Sequence, residues 1–298
     1  MKKLRFKKID AFASGSSSGN PAAVIYLDQP DELSDAEMQQ IARELKGFVS
    51  EVGFVSPATE TDYSLCYFSS EREVAFCGHA TIAILYDLVA SHAGLQGRPS
   101  LSIATRSHIL QVENRYQSEQ SVYISAPAPK FSAETVDPGK LAAALKCRLE
   151  DLDLTQPIQI INAGLETLIV PMSGLDAILR VTPELETLNA FCLDVGADIV
   201  LLYSSEVAQP ASRFRTRVFA PTFGYLEDPA TGSGNSAFGY YLLTQGLWSG
   251  EQICLEQNGL REAPNFVRLF SKKTEAGAPL VWFGGSAVVK IEGQYQLG

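Results

Sequence analysis

Phe76-Cys77-Gly78-His79-Ala80-Thr81-Ile82-Ala83 and Ala230-Thr231-Gly232-Ser233-Gly234-Asn235-Ser236-Ala237 read as two copies of one device. Each sets a glycine beside His or Ser, after an extended apolar segment and before a helical pattern. Such a turn leaves the first backbone N–H groups of the helix without intrahelical partners, where the positive end of the helix dipole attracts an anion. Two copies predict a carboxylate or a developing oxyanion held by paired helix starts.

Outward from these turns the chain repeats itself. Ile9 to Phe12 run into Gly19-Asn20-Pro21 and a second strand from Val24 to Leu27, as Ile158 to Ile161 run into Asn162-Ala163-Gly164 and Leu168 to Val170. Ser34-Asp35-Ala36-Glu37 has the form of a capping box, with Met38, Ile41, Ala42 and Leu45 at helical spacing behind it and an end near Gly47. Its counterpart begins after Thr182-Pro183-Glu184, with Leu185 and Leu188 on one side. Strands follow at Val52 to Val55 and Tyr63 to Phe68, matched by Ile199 to Tyr203 and Arg217 to Ala220; Leu101 to Val112 and Val122 to Ser125 add strand pattern. The separations between equivalent positions are nearly constant, at 144 for Asn20 and Gly164, 146 for Phe54 and Val200, and 154 for Gly78 and Gly232. That is the mark of a duplicated unit, and the growth at the last pair fits an insertion near Thr222 to Glu227. The pattern predicts an α+β fold of two pseudo-equivalent domains, residues 1–126 and 127–285, the first completed by a C-terminal strand at about 286–298. Many strands with one or two helices per half argue against a doubly wound sheet, in which strand and helix alternate throughout.

Bulk properties narrow the function. With 298 residues, 46% of them hydrophobic, the chain has material for two cores. A net charge of −10 and the lack of a Lys/Arg cluster with interleaved aromatics make nucleic acid an unexpected partner. Lys2, Lys3, Arg5, Lys7 and Lys8 alternate with Leu4, Phe6 and Ile9 as a strand with one charged face, and neither a secretory apolar stretch nor a bilayer-spanning run of roughly 20 residues is present. Cys66, Cys77, Cys147, Cys192 and Cys254 are an odd, scattered set without a CxxC pair, which points to thiols in a reducing cytoplasm. The Cys, His and carboxylate positions show no metal-ligand spacing, and no GxGxxG, GxxxxGK[ST] or HExxH occurs, so neither a metal nor a cofactor is expected.

The candidate chemistry is proton transfer. Glu51 opens a strand directly after Phe48-Val49-Ser50, in apolar surroundings that suit a general acid/base; the same position is also compatible with an exposed strand end. Asp228, three residues before Thr231, would lie at the rim of the second turn, or act only as an Asp-Pro turn carboxylate. His79 is either a proton carrier or a helix-start imidazole, and Ser233 is its hydroxyl-bearing counterpart. Asn20, Gly78, Gly232 and Ser233 are the residues expected to bind substrate, through an amide and backbone N–H groups. Phe48, Phe54, Phe223 and Tyr225 near these motifs fit either a ring-bearing ligand or ordinary core.

Ile9-Asp10-Ala11-Phe12, Gly19-Asn20-Pro21-Ala22-Ala23-Val24, Ser50-Glu51-Val52-Gly53-Phe54-Val55, Cys77-Gly78-His79-Ala80-Thr81 and Glu227-Asp228-Pro229-Ala230-Thr231-Gly232-Ser233, in this order, resemble the PhzF-like phenazine biosynthesis family, which shares the diaminopimelate epimerase-like fold. The resemblance covers essentially the whole chain. It implies a cofactor-free homodimer with a site in the cleft between the domains, the family's proton-transferring glutamate at Glu51 and its supporting His, Asp and Ser at His79, Asp228 and Ser233. Related epimerases use two cysteines, which align with Cys77 and Thr231. A threonine hydroxyl holds its proton too tightly to replace a thiolate base, so Cys77 reads as a small buried packing residue. The function expected is an isomerase moving a proton on a small carboxylate metabolite. An amino-acid racemase or epimerase, and a catalytically silent metabolite-binding or interaction protein, are the alternatives.

Overall fold

The computed structural model describes residues 1–15, 17–106 and 108–298. Ser16, inside the Gly/Ser-rich loop, and Ser107, inside the Leu101 to Val112 strand pattern, lie outside the described residues. The chain forms two compact units, Met1–Ser125 with Gly284–Gly298, and Ala126–Phe283.

The first unit contains β1 (Lys2–Ala11), β2 (Asn20–Tyr26), α1 (Asp35–Glu44), β3 (Glu51–Pro57), β4 (Tyr63–Ser69), β5 (Glu73–Val74), α2 (Gly78–Ser91), the short helix α3 (Ala93–Gln96), β6 (Ser100–Ala104), β7 (Ile109–Arg115), the short α4 (Tyr116–Glu119) and β8 (Ser121–Ser125). The second unit contains β9 (Lys130–Phe131), α5 (Pro138–Leu145), β10 (Gln159–Asn162), β11 (Glu166–Pro171), α6 (Leu175–Arg180), α7 (Leu185–Val195), β12 (Ile199–Ser204), β13 (Phe214–Phe219), β14 (Glu227–Asp228), α8 (Gly232–Thr244), β15 (Ile253–Gln257), β16 (Asn265–Lys273) and β17 (Pro279–Gly285). The last strand, β18 (Ala287–Leu297), returns to the first unit and pairs antiparallel with β1 along its length.

Strand pairing repeats between the units as the sequence offsets predict. β2 runs parallel to β3 as β11 does to β12. β3 is antiparallel to β4 as β12 is to β13, and β4 continues to β5 and β6 as β13 does to β14 and β15. The fold is α+β, with two pseudo-equivalent halves.

Each half encloses one apolar helix. In α2 the run from Ala80 to Leu85, with Leu88 and Val89, is buried, and in α8 the run from Gly234 to Leu242. A helix apolar on all sides has to be surrounded. The period-2 alternation of the strands supplies the wall: Val52 and Phe54 of β3 join the core under α1, while Gly53 between them faces α2, where an added Cβ would lie 2.6 Å from Ile84 Cδ1. In the second unit Leu168, Val170, Val200 and Leu202 join the core formed with α5, α6 and α7, and Ile199 meets α8 at Gly234. The capping box of α1 is present, with the Ser34 hydroxyl accepting from the Glu37 N–H and the Glu37 carboxylate accepting from the Ser34 N–H at 2.8 Å. One residue of the charged face of β1 turns inward: the Lys7 ammonium is buried on Asp87 of α2 at 2.9 and 3.0 Å, and Tyr26 also donates to that carboxylate.

Candidate active site

The first turn gathers residues from three elements. Glu51 is the first residue of β3, Cys77 is the N-cap of α2, and His79 is the second residue of that helix. His79 Nε2 lies 3.5 Å from Glu51 Oε2, with side-chain exposures of 12% and 17%, so the pair is sheltered but reachable. The Cys77 sulfur lies 3.5 Å from His79 Nδ1. The imidazole also donates to the carbonyl of Pro21 at the start of β2, so the buried Asn20-Pro21 segment supports this turn. Burial pushes the His79 pKa down to about 4, and the Pro21 carbonyl only partly opposes it. At neutral pH the ring is therefore uncharged, with a single N–H and one nitrogen able to accept.

A second layer holds the turn. Thr81 donates to the Cys77 carbonyl at 2.7 Å, and the fully buried Tyr67 lies 2.6 Å from the Thr81 hydroxyl. The side chain of Cys77 does not cap its helix. The first-turn N–H groups at Gly78 and His79 are thus not closed by their own N-cap side chain.

The second turn is built from β14, β15 and α8. Asp228 ends β14 and is buried, Thr231 is the N-cap of α8, and the Thr231 hydroxyl donates to Asp228 Oδ2 rather than to the helix. Gln257, at the end of β15 and fully buried, locks this geometry. Its Oε1 accepts from the Thr231 N–H at 3.0 Å and from Asn235 Nδ2 at 2.6 Å, while its Nε2 donates to the Asp228 carbonyl at 2.9 Å and to Thr231 Oγ1 at 3.1 Å. Because the amide is fixed by what each end accepts or donates, the Thr231 proton has one remaining direction, toward Asp228. Gly232 is required by close approach, since a Cβ there would lie 2.2 Å from the Phe283 ring. Ser233 is half-buried beside Gly164, the counterpart of the Asn20-Pro21 segment beside His79.

The structure therefore brings Glu51, His79, Gly78 and the Asn20-Pro21 segment together in one turn, and Asp228, Gly232 and Ser233 in the other. Two participants escaped sequence reasoning. Cys77 is buried as expected, yet its sulfur faces the imidazole instead of only filling space. Gln257 carried no local signal at all, because its partners lie 22 to 29 residues away in sequence. Of the aromatics, Phe54 is core, packed edge-on against Phe68, whereas Phe48 and Phe223 are exposed at 44% and 46%.

Glu51, Cys77 and His79 are the one group of His, Cys and carboxylate donors among the described residues whose ligand atoms all lie within 4.8 Å of one another. Linear spacing hid this set, since Glu51 comes from a different element. None of the five cysteines is in a disulfide, and among the described residues no helix is long and apolar enough to cross a membrane.

The family model described as phenazine biosynthesis-like protein matches residues 9–293. Among curated proteins, the chain is 32% identical over 259 residues to an uncharacterized isomerase, YfhB, of Bacillus subtilis, covering 86% of this chain and 87% of that one. It is 31% identical over 239 residues to the trans-2,3-dihydro-3-hydroxyanthranilate isomerase of Pseudomonas fluorescens, covering 80% and 79%. Among solved structures, the Bacillus anthracis phenazine biosynthesis protein of the PhzF family superposes with a TM-score of 0.88 at 26% identity, over 99% of this chain and 100% of that one.

Proposed function

Since the chain belongs to the phenazine biosynthesis-like (PhzC-PhzF) family and is an isomerase, we propose that it moves a proton between two carbons of a small carboxylate metabolite without a cofactor, using Glu51 as the proton carrier. The observation that carries this reading is the Glu51 carboxylate set 3.5 Å from Nε2 of a neutral, sheltered His79. A carboxylate can take a proton from a C–H bond only if the carbanion formed is stabilised, and the first-turn N–H groups of α2, beside Glu51 and left open by the N-cap side chain, are preorganised donors for that charge. Glu51 then delivers a proton to another carbon, after its carboxyl proton has exchanged with solvent, so nothing is consumed overall. His79, uncharged, orients the carboxyl and can hold a proton transiently; Asp228, fixed by Thr231 and Gln257, is the second carboxylate of the reaction. Asn20, Gly78, Gly232 and Ser233 bind the substrate carboxylate in this reading. The ring carboxylate named for the Pseudomonas fluorescens relative supports the substrate class.

The test is a metabolite-library screen in heavy water read by mass. A small carboxylate acquiring deuterium at one carbon with a shifted double bond is the expected result. On that substrate, Glu51→Gln should lower kcat by about 10²–10⁴-fold; full turnover by this variant would sink the assignment. An amino-acid racemase keeps one observation in its favour, the Cys77 sulfur 3.5 Å from the imidazole, and inversion at a single carbon in the same screen would select it. A homodimer belongs to this proposal through the family resemblance and a reducing cytoplasm through the five cysteines outside any disulfide, and sedimentation of the purified chain checks the dimer.

A further inference from the structure

We propose that Glu51, Cys77 and His79 form a binding site for a thiophilic divalent cation of the Zn²⁺ type, and that its occupancy switches the isomerase off. Three kinds of donor meet here, a carboxylate oxygen, a thiol sulfur and an imidazole nitrogen, which together are a zinc ligand set and a poor one for Mg²⁺ or Ca²⁺. The spacing fits. With Zn–S near 2.3 Å and Zn–N and Zn–O near 2.0–2.2 Å, the edges between ligands of a tetrahedral ion are about 3.3–3.6 Å. The His79 nitrogen and Glu51 oxygen are 3.5 Å apart, and the Cys77 sulfur is 3.5 Å from one ring nitrogen and 3.9 Å from the other. The remaining edge, from the Glu51 oxygen to the Cys77 sulfur, lies within 4.8 Å, so side-chain adjustments of about an ångström or less close the set around one ion.

The surroundings fit as well. A metal-bound histidine ordinarily gives its other ring N–H to a carbonyl or carboxylate, which fixes tautomer and orientation; His79 gives its N–H to the Pro21 carbonyl. Two ligands come from one rigid element, since Cys77 and His79 flank the first residue of α2 and the Thr81 and Tyr67 bonds hold that turn. Binding replaces the S–H bond of Cys77 by a Zn–S bond and releases one proton to solvent. Three protein ligands leave a fourth position for water.

The inhibitory half of the proposal rests on the reading of Glu51 as the proton carrier: an ion on its carboxylate occupies the lone pair that would accept the substrate proton. The binding half rests on geometry alone. The two are separated by titrating the tag-free full chain, first with ZnCl₂ and MgCl₂ by calorimetry, then with CoCl₂ by absorption. We expect one Zn²⁺ per chain, no Mg²⁺ heat, and a cobalt complex with a thiolate-to-metal charge-transfer band. Cys77→Ser should abolish the band, and His79→Gln should weaken Zn²⁺ binding by at least about 10-fold, with circular dichroism showing both variants folded. A wild-type chain that takes up no Zn²⁺, or a band that persists in Cys77→Ser, overturns the site. Zinc binding at this site with undiminished turnover overturns the inhibition while leaving the site in place.

Discussion

At position 79 burial acts on a single ring, and the consequence is a measurable pH dependence. The His79 pKa lies near 4 in the folded chain against an ordinary 6.5, so the unfolded chain binds the proton more readily. Its contribution to stability is complete above about pH 6.5 and is lost as pH falls toward 4, at up to about 1.4 kcal/mol per pH unit. Thermal melts of wild type and His79→Gln between pH 7 and pH 4 should converge as the pH drops, the wild type losing more; parallel curves would refute the neutral imidazole. Gln257 acts differently, through satisfied donors. Gln257→Met keeps the volume but strands the buried Thr231 N–H and Asn235 amide, at about 1–3 kcal/mol for each unsatisfied group. The expected result is a lower denaturation midpoint together with a lower kcat, because Asp228 loses the constraint on its carbonyl and on the Thr231 hydroxyl.

Among the elements, the two enclosed helices begin where the glycine turns of the sequence place them, at Gly78 and Gly232. The run after Gly78 is mostly apolar, and that after Gly232 is buried on every side with Asn235 and Ser236 included, so neither helix keeps a solvent face. Gly232→Ala would drive a methyl group into the Phe283 ring; overpacking of this kind costs roughly 1–3 kcal/mol and should lower Tm by several degrees in calorimetry. Gly53→Ala, whose one close approach is to the terminal methyl of Ile84, should cost less, and equal losses would show that the α8 start is not rigid. The elements that sequence could not supply are joined by long-range pairs. The Gln257 amide reaches its turn from β15, Lys7 of β1 finds Asp87 of α2, and the Pro21 carbonyl reaches His79. Periodicity reports which face is apolar, but not which polar side chains meet across faces, and the chemistry of the candidate site lies in those meetings.

On the scale of the molecule, the duplication was legible because an offset between repeats survives even where residue identities do not. The same pairing order recurs in both units, although Cys77 and His79 have become Thr231 and Ser233. The closing of the first unit by the last strand also has an energetic test. β18 supplies the antiparallel partner of β1 from Lys2 to Ala11, so a chain ended before Ala287 exposes a ten-residue edge. Open edges of that length invite pairing with other chains. Size-exclusion chromatography of the truncated protein should show aggregates in place of the wild-type peak, and a normal elution profile would count against the strand's role.

The path of the chain reverses the order in which its parts can be finished during synthesis. The unit from Ala126 to Phe283 is continuous and can fold as soon as it has left the ribosome. The unit that begins first must wait for β18, which is reached on the order of ten seconds or more after Ser125 has been translated at about 5–20 residues per second. Throughout that wait β1 shows the nascent chain's surroundings a strand edge carrying Lys2, Lys3 and Arg5, and lysines on a strand edge deter unwanted partners. The edge left open until β18 arrives is thus one whose charges suit it to stay single.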